Sequence, residues 1–215
     1  MFNPQSPPAW SVSAWLNSDA ELSLAVLKGK VVVMTAFQML CPGCVSHALP
    51  QAQRLYDRFS RNEVAVVGLH TVFEHKEVMT PEALKAFVHE YGWSFPIGID
   101  APADGEGPPK TMAAYEMQGT PTLLIFDREG RLRRHYFGRP DDTVIGAEIM
   151  AFALETDAAA TEARLARTVI MPGTHDHLHD HDHSHDHHHD HGHDHHHHHE
   201  SGCGCGHDHG GCGHR

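Results

Sequence analysis

The stretch FQMLCPGCVSHALPQ, residues 37–51, sets Cys41 and Cys44 three apart at the end of a β-branched run. Its reading decides the fold, because a CxxC pair can serve disulfide exchange, metal binding or peroxide chemistry, and each use needs its own surroundings. Immediately upstream, KGKVVVMTAF (28–37) reads as a short buried strand with a Gly-Lys turn before it. Pro42 suits a helix start, where the first turn needs no amide donor. Val45, Ala48, Leu49, Ala52, Leu55 and Phe59 then recur near a 3.6-residue period, which predicts a helix over about 42–60 that Pro50 kinks.

At that helix start Cys41 faces unpaired amide donors and the positive end of the macrodipole, both of which favour a thiolate. Cys44, one turn on, lies on the same side and is less exposed. The pair therefore reads as an attacking sulfur, Cys41, that opens a disulfide, and a resolving sulfur, Cys44, that releases the mixed disulfide.

Working outward, NEVAVVGLHTV (62–72) predicts a second buried strand. Thr80 caps the next helix, Pro81 and Glu82 fill its first turn, and Gly92 stops it; Ala83, Leu84, Phe87, Val88 and Tyr91 form its apolar face. SFPIGID (94–100) is a short strand, APADGEGPP (101–109) a loop and TMAAYEMQ (111–118) a short helix. PTLLIFD and RLRRHYF, joined by a turn at residues 127–130, predict a β-hairpin. Asp141 and Asp142 open a last helix running to about Ala166.

The order β-α-β-α-β-α-β-β-α predicts an α/β fold, with a mixed central sheet carrying helices on both faces. Residues 1–8 are expected to be a disordered lead-in, 9–167 one domain and 168–215 a disordered tail. Beyond Pro172 and Gly173 the only aliphatic side chain is Leu178, so no core can form there. Late in the domain, Gly119-Thr120-Pro121-Thr122 enters a strand through an X-Pro bond. A cis bond at that point would bring the Thr120 backbone up to the cysteines, with its N–H and C=O free for an extended substrate.

These features together resemble the thioredoxin-like superfamily, closest to its TlpA-type thiol–disulfide oxidoreductases within the wider AhpC/TSA-redoxin group. The resemblance spans about residues 9–155. It rests on LSLAVLKGKVVVMTAF, CPGC, AVVGLH, GTPTLLIFDREG and the last helix. It implies a thioredoxin-like fold and a thiol–disulfide oxidoreductase with Cys41 as nucleophile, Cys44 as resolver and Pro121 as the cis-proline. Pro42, Gly43, Thr120 and Pro121 would then border the substrate. No cofactor is expected for the redox step, and the implied partners are a protein or small-molecule disulfide and a thiol electron donor.

The chain also departs from the family. Leu40 stands where an aromatic residue usually precedes the first cysteine, and the dipeptide is Pro-Gly where thioredoxin has Gly-Pro. Thr35 occupies the place of thioredoxin's buried carboxylate, so a hydroxyl there becomes a candidate modulator. His47 stands near a helical Glu of some TlpA-type reductases, and Glu74, in the loop after the second strand, can approach the site; both join Thr35 as candidate modulators.

Two rival readings of CPGC are weaker. Zinc would take Cys41, Cys44 and His47, yet a closed structural site needs four ligands and no second CxxC or HxxxH lies in the folded part. A peroxiredoxin reading aligns Pro42-Gly43-Cys44 and Pro50 with a TPGC-type loop. Cys41 then stands where a peroxide-holding Thr belongs, and Phe37 replaces the upstream Pro.

The formal net charge is −12, of which −7 falls on residues 173–215. An acidic body without a basic stripe excludes nucleic acid as a partner. No window nears eighteen consecutive apolar residues, so a membrane-spanning helix is not expected. The first residues lack a basic n-region followed by an apolar h-region, which predicts a cytoplasmic address and a dithiol reduced at rest.

The tail carries nineteen histidines interleaved with Asp, plus three cysteines. Its candidate metal ligands are His175, His177, His179, His181, His183, His185, His187, His188, His189, His191, His193, His195, His196, His197, His198, His199, His207, His209 and His214, with Cys203, Cys205 and Cys212. Imidazole suits Ni, Zn, Cu or Co, and the thiolates add softer sites. In composition the tail resembles the His/Asp/Cys-rich ends of nickel-handling chaperones and other metallochaperones. A dithiol on the same chain raises the expectation that it keeps the tail cysteines reduced and able to bind metal.

Overall fold

The computed structural model describes residues 2–155. The last helix, expected to run to about Ala166, ends at Leu154, where Glu155 turns extended; the boundary at 167 and the tail with all its candidate ligands lie outside the described residues. A single six-stranded sheet runs in the order β1-β4-β3-β2-β5-β6. Its strands are β1 (Val12–Leu16), β2 (Val31–Phe37), β3 (Val64–His70), β4 (Ile97–Asp100), β5 (Thr122–Phe126) and β6 (Leu132–Phe137). β2, β3 and β4 are mutually parallel, whereas β1, β5 and β6 each run antiparallel to a neighbour. This is the mixed sheet that the element order predicts and the thioredoxin-like arrangement that the resemblance implies, with one strand more. β1 falls at the start of the stretch read as one domain, where no strand is expected. It is short, half-exposed and at the sheet edge, so neither period-2 patterning nor a buried run marks it.

β2 is buried along its whole length because it lies at the centre and is covered on both faces. One face packs Val31, Val33 and Phe37 against α1 (Leu49–Arg58), α2 (Pro81–Tyr91) and α4 (Asp142–Leu154). The other packs Val32, Met34 and Ala36 against the short α3 (Lys110–Ala114) and the N-terminal segment, through Phe2, Trp10, Leu22 and Leu24. Helices therefore lie on both faces as expected, but three share one face and the chain's own beginning roofs much of the other.

The predicted caps form where the residue types demand. Thr80 Oγ1 accepts the Ala83 amide at 3.2 Å, and Gly92 ends α2 at φ 68°, a left-handed conformation that costs glycine nothing. The Asp141 carboxylate caps α4 by accepting the Thr143 amide at 2.8 Å.

The helix expected over 42–60 is broken in register. Residues Cys44–Ala48 form one π-turn, in which the Leu49 amide donates to the Cys44 carbonyl, and α1 continues from Leu49. Pro50 has no N–H to give and its ring crowds the preceding turn, so a wider turn just before it accommodates both defects.

Candidate active site

Cys41 follows β2 by four residues, and its amide donates to the Gln38 carbonyl at 3.2 Å. Its side chain is half-buried. The Cys44 amide donates to Cys41 Sγ at 3.2 Å, and the Cys41 thiol donates to the Thr120 carbonyl at 3.5 Å. An amide aimed at the sulfur is the local geometry that suits a negative charge there.

Cys44 is fully buried among Phe37, Leu49 and their neighbours, and both cysteines are free thiols. Burial, and next the Cys41 thiol beside it, push the Cys44 thiol up to about 12. The two sulfurs therefore differ in kind: one is open and hydrogen-bonded, while the other is held protonated until something changes around it.

The Thr120–Pro121 peptide is cis, and a Cβ on Gly43 would lie 3.5 Å from Pro121 Cδ, so the proline ring rests on the CPGC turn. The expected approach of Thr120 to Cys41 is thus present. Its carbonyl, expected to be free for substrate, accepts the Cys41 thiol in this dithiol form.

Around Cys41 opens a cleft of roughly 390 Å³. Cys41, Pro42, Thr120 and Glu74 border it, together with Gln38, Leu40, Phe73, Met79 and Phe137. Leu40 and Phe137 are 55% and 60% exposed, so an open sulfur sits inside an apolar rim.

The structure separates the other candidate modulators. Thr35 points to the same sheet face as Val33 and Phe37, 1% exposed, and its hydroxyl has no hydrogen-bond partner among the described residues. Glu74 is exposed and borders the Cys41 cleft. His47 does not join the cysteines: its Nδ1 lies 2.6 Å from Ser46 Oγ, and it borders a different depression with Arg54, Arg139 and Asp142. The set Cys41, Cys44 and His47 is therefore not gathered, and among the described residues no three His, Cys, Asp or Glu side chains converge as metal ligands. No helix of the described residues is long and apolar enough to cross a membrane.

Two residues near the site escaped sequence reasoning. Gln38, 3% exposed, accepts the Phe73 and Glu74 amides on its side-chain oxygen at 3.2 and 3.3 Å. A single amide interrupting MTAFQML was its only trace. His70, at the end of β3, is 1% exposed with its ring centroid 5.3 Å from that of Phe37, and its Nε2 has no partner among the described residues. Burial lowers it to about 4, so it stays neutral. Nothing in AVVGLH distinguishes a histidine that closes a buried strand from one that faces water.

A CxxC dithiol with one open and one buried sulfur, set against a cis-proline on this sheet, defines a class: the thioredoxin-like proteins that carry a CxxC pair. The chain belongs to the AhpC/TSA family, whose model matches residues 7–135. It is similar to a crystal structure described as a thioredoxin-like superfamily protein, with 53% identity, a TM-score of 0.69, and coverage of 71% of this chain and 98% of that one. It is similar also to the crystal structure of a thiol-disulfide isomerase from Corynebacterium glutamicum, with 46% identity, a TM-score of 0.68 and the same two coverages. The thiol-disulfide oxidoreductase ResA of Bacillus thuringiensis is 27% identical over 118 residues, 55% of this chain and 61% of that protein. Protein DipZ of Mycobacterium bovis is 26% identical over 141 residues, 65% of this chain, but the match covers only 19% of DipZ.

Proposed function

We propose that this chain exchanges thiols and disulfides through Cys41 and Cys44, and carries a metal-binding segment after residue 172. The observation that supports the exchange reading most is the position of Cys41 Sγ. It lies between the Cys44 amide and the Thr120 carbonyl, and it opens into a cleft rimmed by exposed Leu40 and Phe137.

Cys41 attacks one sulfur of a substrate disulfide; the substrate's other sulfur leaves as a thiolate, and a mixed disulfide forms at Cys41. Cys44 then gives up its proton and attacks Cys41 Sγ. The substrate leaves as a dithiol and the Cys41–Cys44 disulfide remains. An external thiol donor supplies two electrons to restore the pair. The names of the similar proteins fit this chemistry, and disulfide substrates with thiol donors are the partners it requires. We place the reaction in the cytoplasm, where that donor pool keeps the dithiol reduced.

Reduction of insulin disulfides with a dithiol donor tests the reading. Cys41→Ser should abolish turnover, and Cys44→Ser should accumulate a mixed disulfide. Turnover that survives Cys41→Ser would sink it.

The family match makes a thiol-dependent peroxidase the second reading. In its register the peroxide-reducing cysteine is Cys44, and a thiol that is fully buried and pushed up to about 12 is the wrong one to meet peroxide. Peroxide consumption by the reduced chain should accordingly be negligible beside disulfide reduction.

For the tail, nineteen imidazoles and three thiols support Ni, Zn, Cu or Co binding. Calorimetric titration of the full chain against each ion, repeated on a chain ending at residue 172, tests this.

A further inference from the structure

We infer that Gln38 is a positioning residue that fixes the side of the Cys41 cleft formed by Phe73 and Glu74, and so sets how macromolecular disulfides are bound. The inference rests on the oxidoreductase reading and adds a residue that no CxxC motif contains.

Gln38 lies between the last residue of β2 and the cysteine turn, and it is connected in both directions. Its backbone carbonyl accepts the Cys41 amide at 3.2 Å. Its buried side-chain oxygen accepts the Phe73 and Glu74 amides at 3.2 and 3.3 Å, while the Thr71 amide donates to the Phe37 carbonyl at 3.1 Å. Residues 37–38 thus hold the cysteine turn and the segment after β3 together.

That segment has no strand partner of its own. It leaves β3 at His70 and turns at His75, whose φ is 49° and whose carbonyl accepts the Val78 and Met79 amides. Met79 then anchors it in the core. Between β3 and that turn, the amides of Phe73 and Glu74 find their acceptor in one side chain. Both residues border the cleft, which Gly119 and Thr120, just before β5, and Phe137, at the end of β6, also line.

Removing the Gln38 acceptor frees this side of the cleft without touching either sulfur. A large disulfide that leans on Phe73 and Glu74 should feel the change, and a small one that meets only Cys41 should not.

The test uses the full chain with Gln38→Met, which keeps the shape and loses the acceptor, and Gln38→Glu, which keeps acceptor oxygens. For insulin, Q38M should raise KM about tenfold with kcat within about twofold, the scale of one or two lost hydrogen bonds. Reduction of bis(2-hydroxyethyl) disulfide should stay within about twofold of wild type in the same variant, and Q38E should bring the insulin KM back toward wild type. Hydrogen exchange at the Phe73 and Glu74 amides should accelerate about tenfold in Q38M while Val66 and Leu124 keep their rates. An unchanged insulin KM, an equal loss on both disulfides, or unaltered exchange at those two amides would overturn the inference. A wild-type chain that reduces neither disulfide would instead remove the oxidoreductase reading, and the amide exchange would still decide the clamp.

Discussion

Cys44 should be nearly inert in the native dithiol, and the structure gives the size of the effect. Its thiol is pushed from an ordinary 9.0 up to about 12, burial being the larger cause and the adjacent Cys41 thiol the next. At neutral pH that removes about a thousandfold of its thiolate, equivalent to about 4 kcal/mol. Alkylation follows the thiolate, and full burial adds a barrier of access.

The experiment is a time course with iodoacetamide on the fully reduced chain, native and in guanidinium, read by fragment mass spectrometry that separates Cys41 from Cys44. Native Cys44 should react at least a hundredfold more slowly than denatured Cys44, below the thousandfold limit because brief openings expose it. Cys41 should react first. Comparable rates for native and denatured Cys44 would refute the burial argument. The same logic governs turnover: once Cys41 is tied up in a mixed disulfide, its thiol no longer raises Cys44, and the resolving sulfur becomes easier to ionise when it is needed.

Further expectations concern stability and the tail. His70 stays neutral when folded because burial lowers it from 6.5 to about 4. The unfolded chain takes up that proton first, so stability should fall by about 3 kcal/mol as pH drops from 6.5 to 4. Urea unfolding of wild type and His70→Phe across that range should show a shallower pH dependence in the variant, and equal slopes would remove His70 from the account. Asp100 accepts the Thr111 and Met112 amides and the Thr71 hydroxyl inside the core, at 2.8, 3.0 and 3.0 Å. Asp100→Ala strands those donors and should cost about 3 kcal/mol in urea unfolding; a loss under about 1 kcal/mol would contradict that count. Deleting residues 173–215 should abolish binding of Ni or Zn yet leave insulin reduction intact. Metal affinity of the full chain should collapse below about pH 6.5, where imidazole protonates.

How much of this was legible depended on whether the information was local. The buried run VVVMTAF, the cap at Thr80, the stop at Gly92 and the hairpin at 127–130 are each decided by a few neighbouring side chains, and each appears where expected. GTPT and CPGC lie far apart in sequence, and their meeting was readable only on the condition that the Thr120–Pro121 bond is cis, as it is. β1 was hidden because an edge strand needs its partner β4 to declare it. The roles of Gln38 and His70 were hidden because both are ordinary polar residues until burial makes their hydrogen bonds, or the lack of one, costly. His47 shows the reverse error of distance: three residues from Cys44 in sequence, it borders another depression.

The π-turn at Cys44–Ala48 bears on how this motif can be exchanged between relatives. One extra residue in a helical turn advances everything after it by about 100° around the axis. The sulfurs and the Leu49, Ala52 and Leu55 stripe are thus aimed by two separate phases of one helix. A CxxC segment transplanted from a protein with an uninterrupted helix would deliver the cysteines correctly and swing the stripe away from the sheet. Pro50 therefore belongs to the motif as a spacer, though it touches no sulfur chemistry.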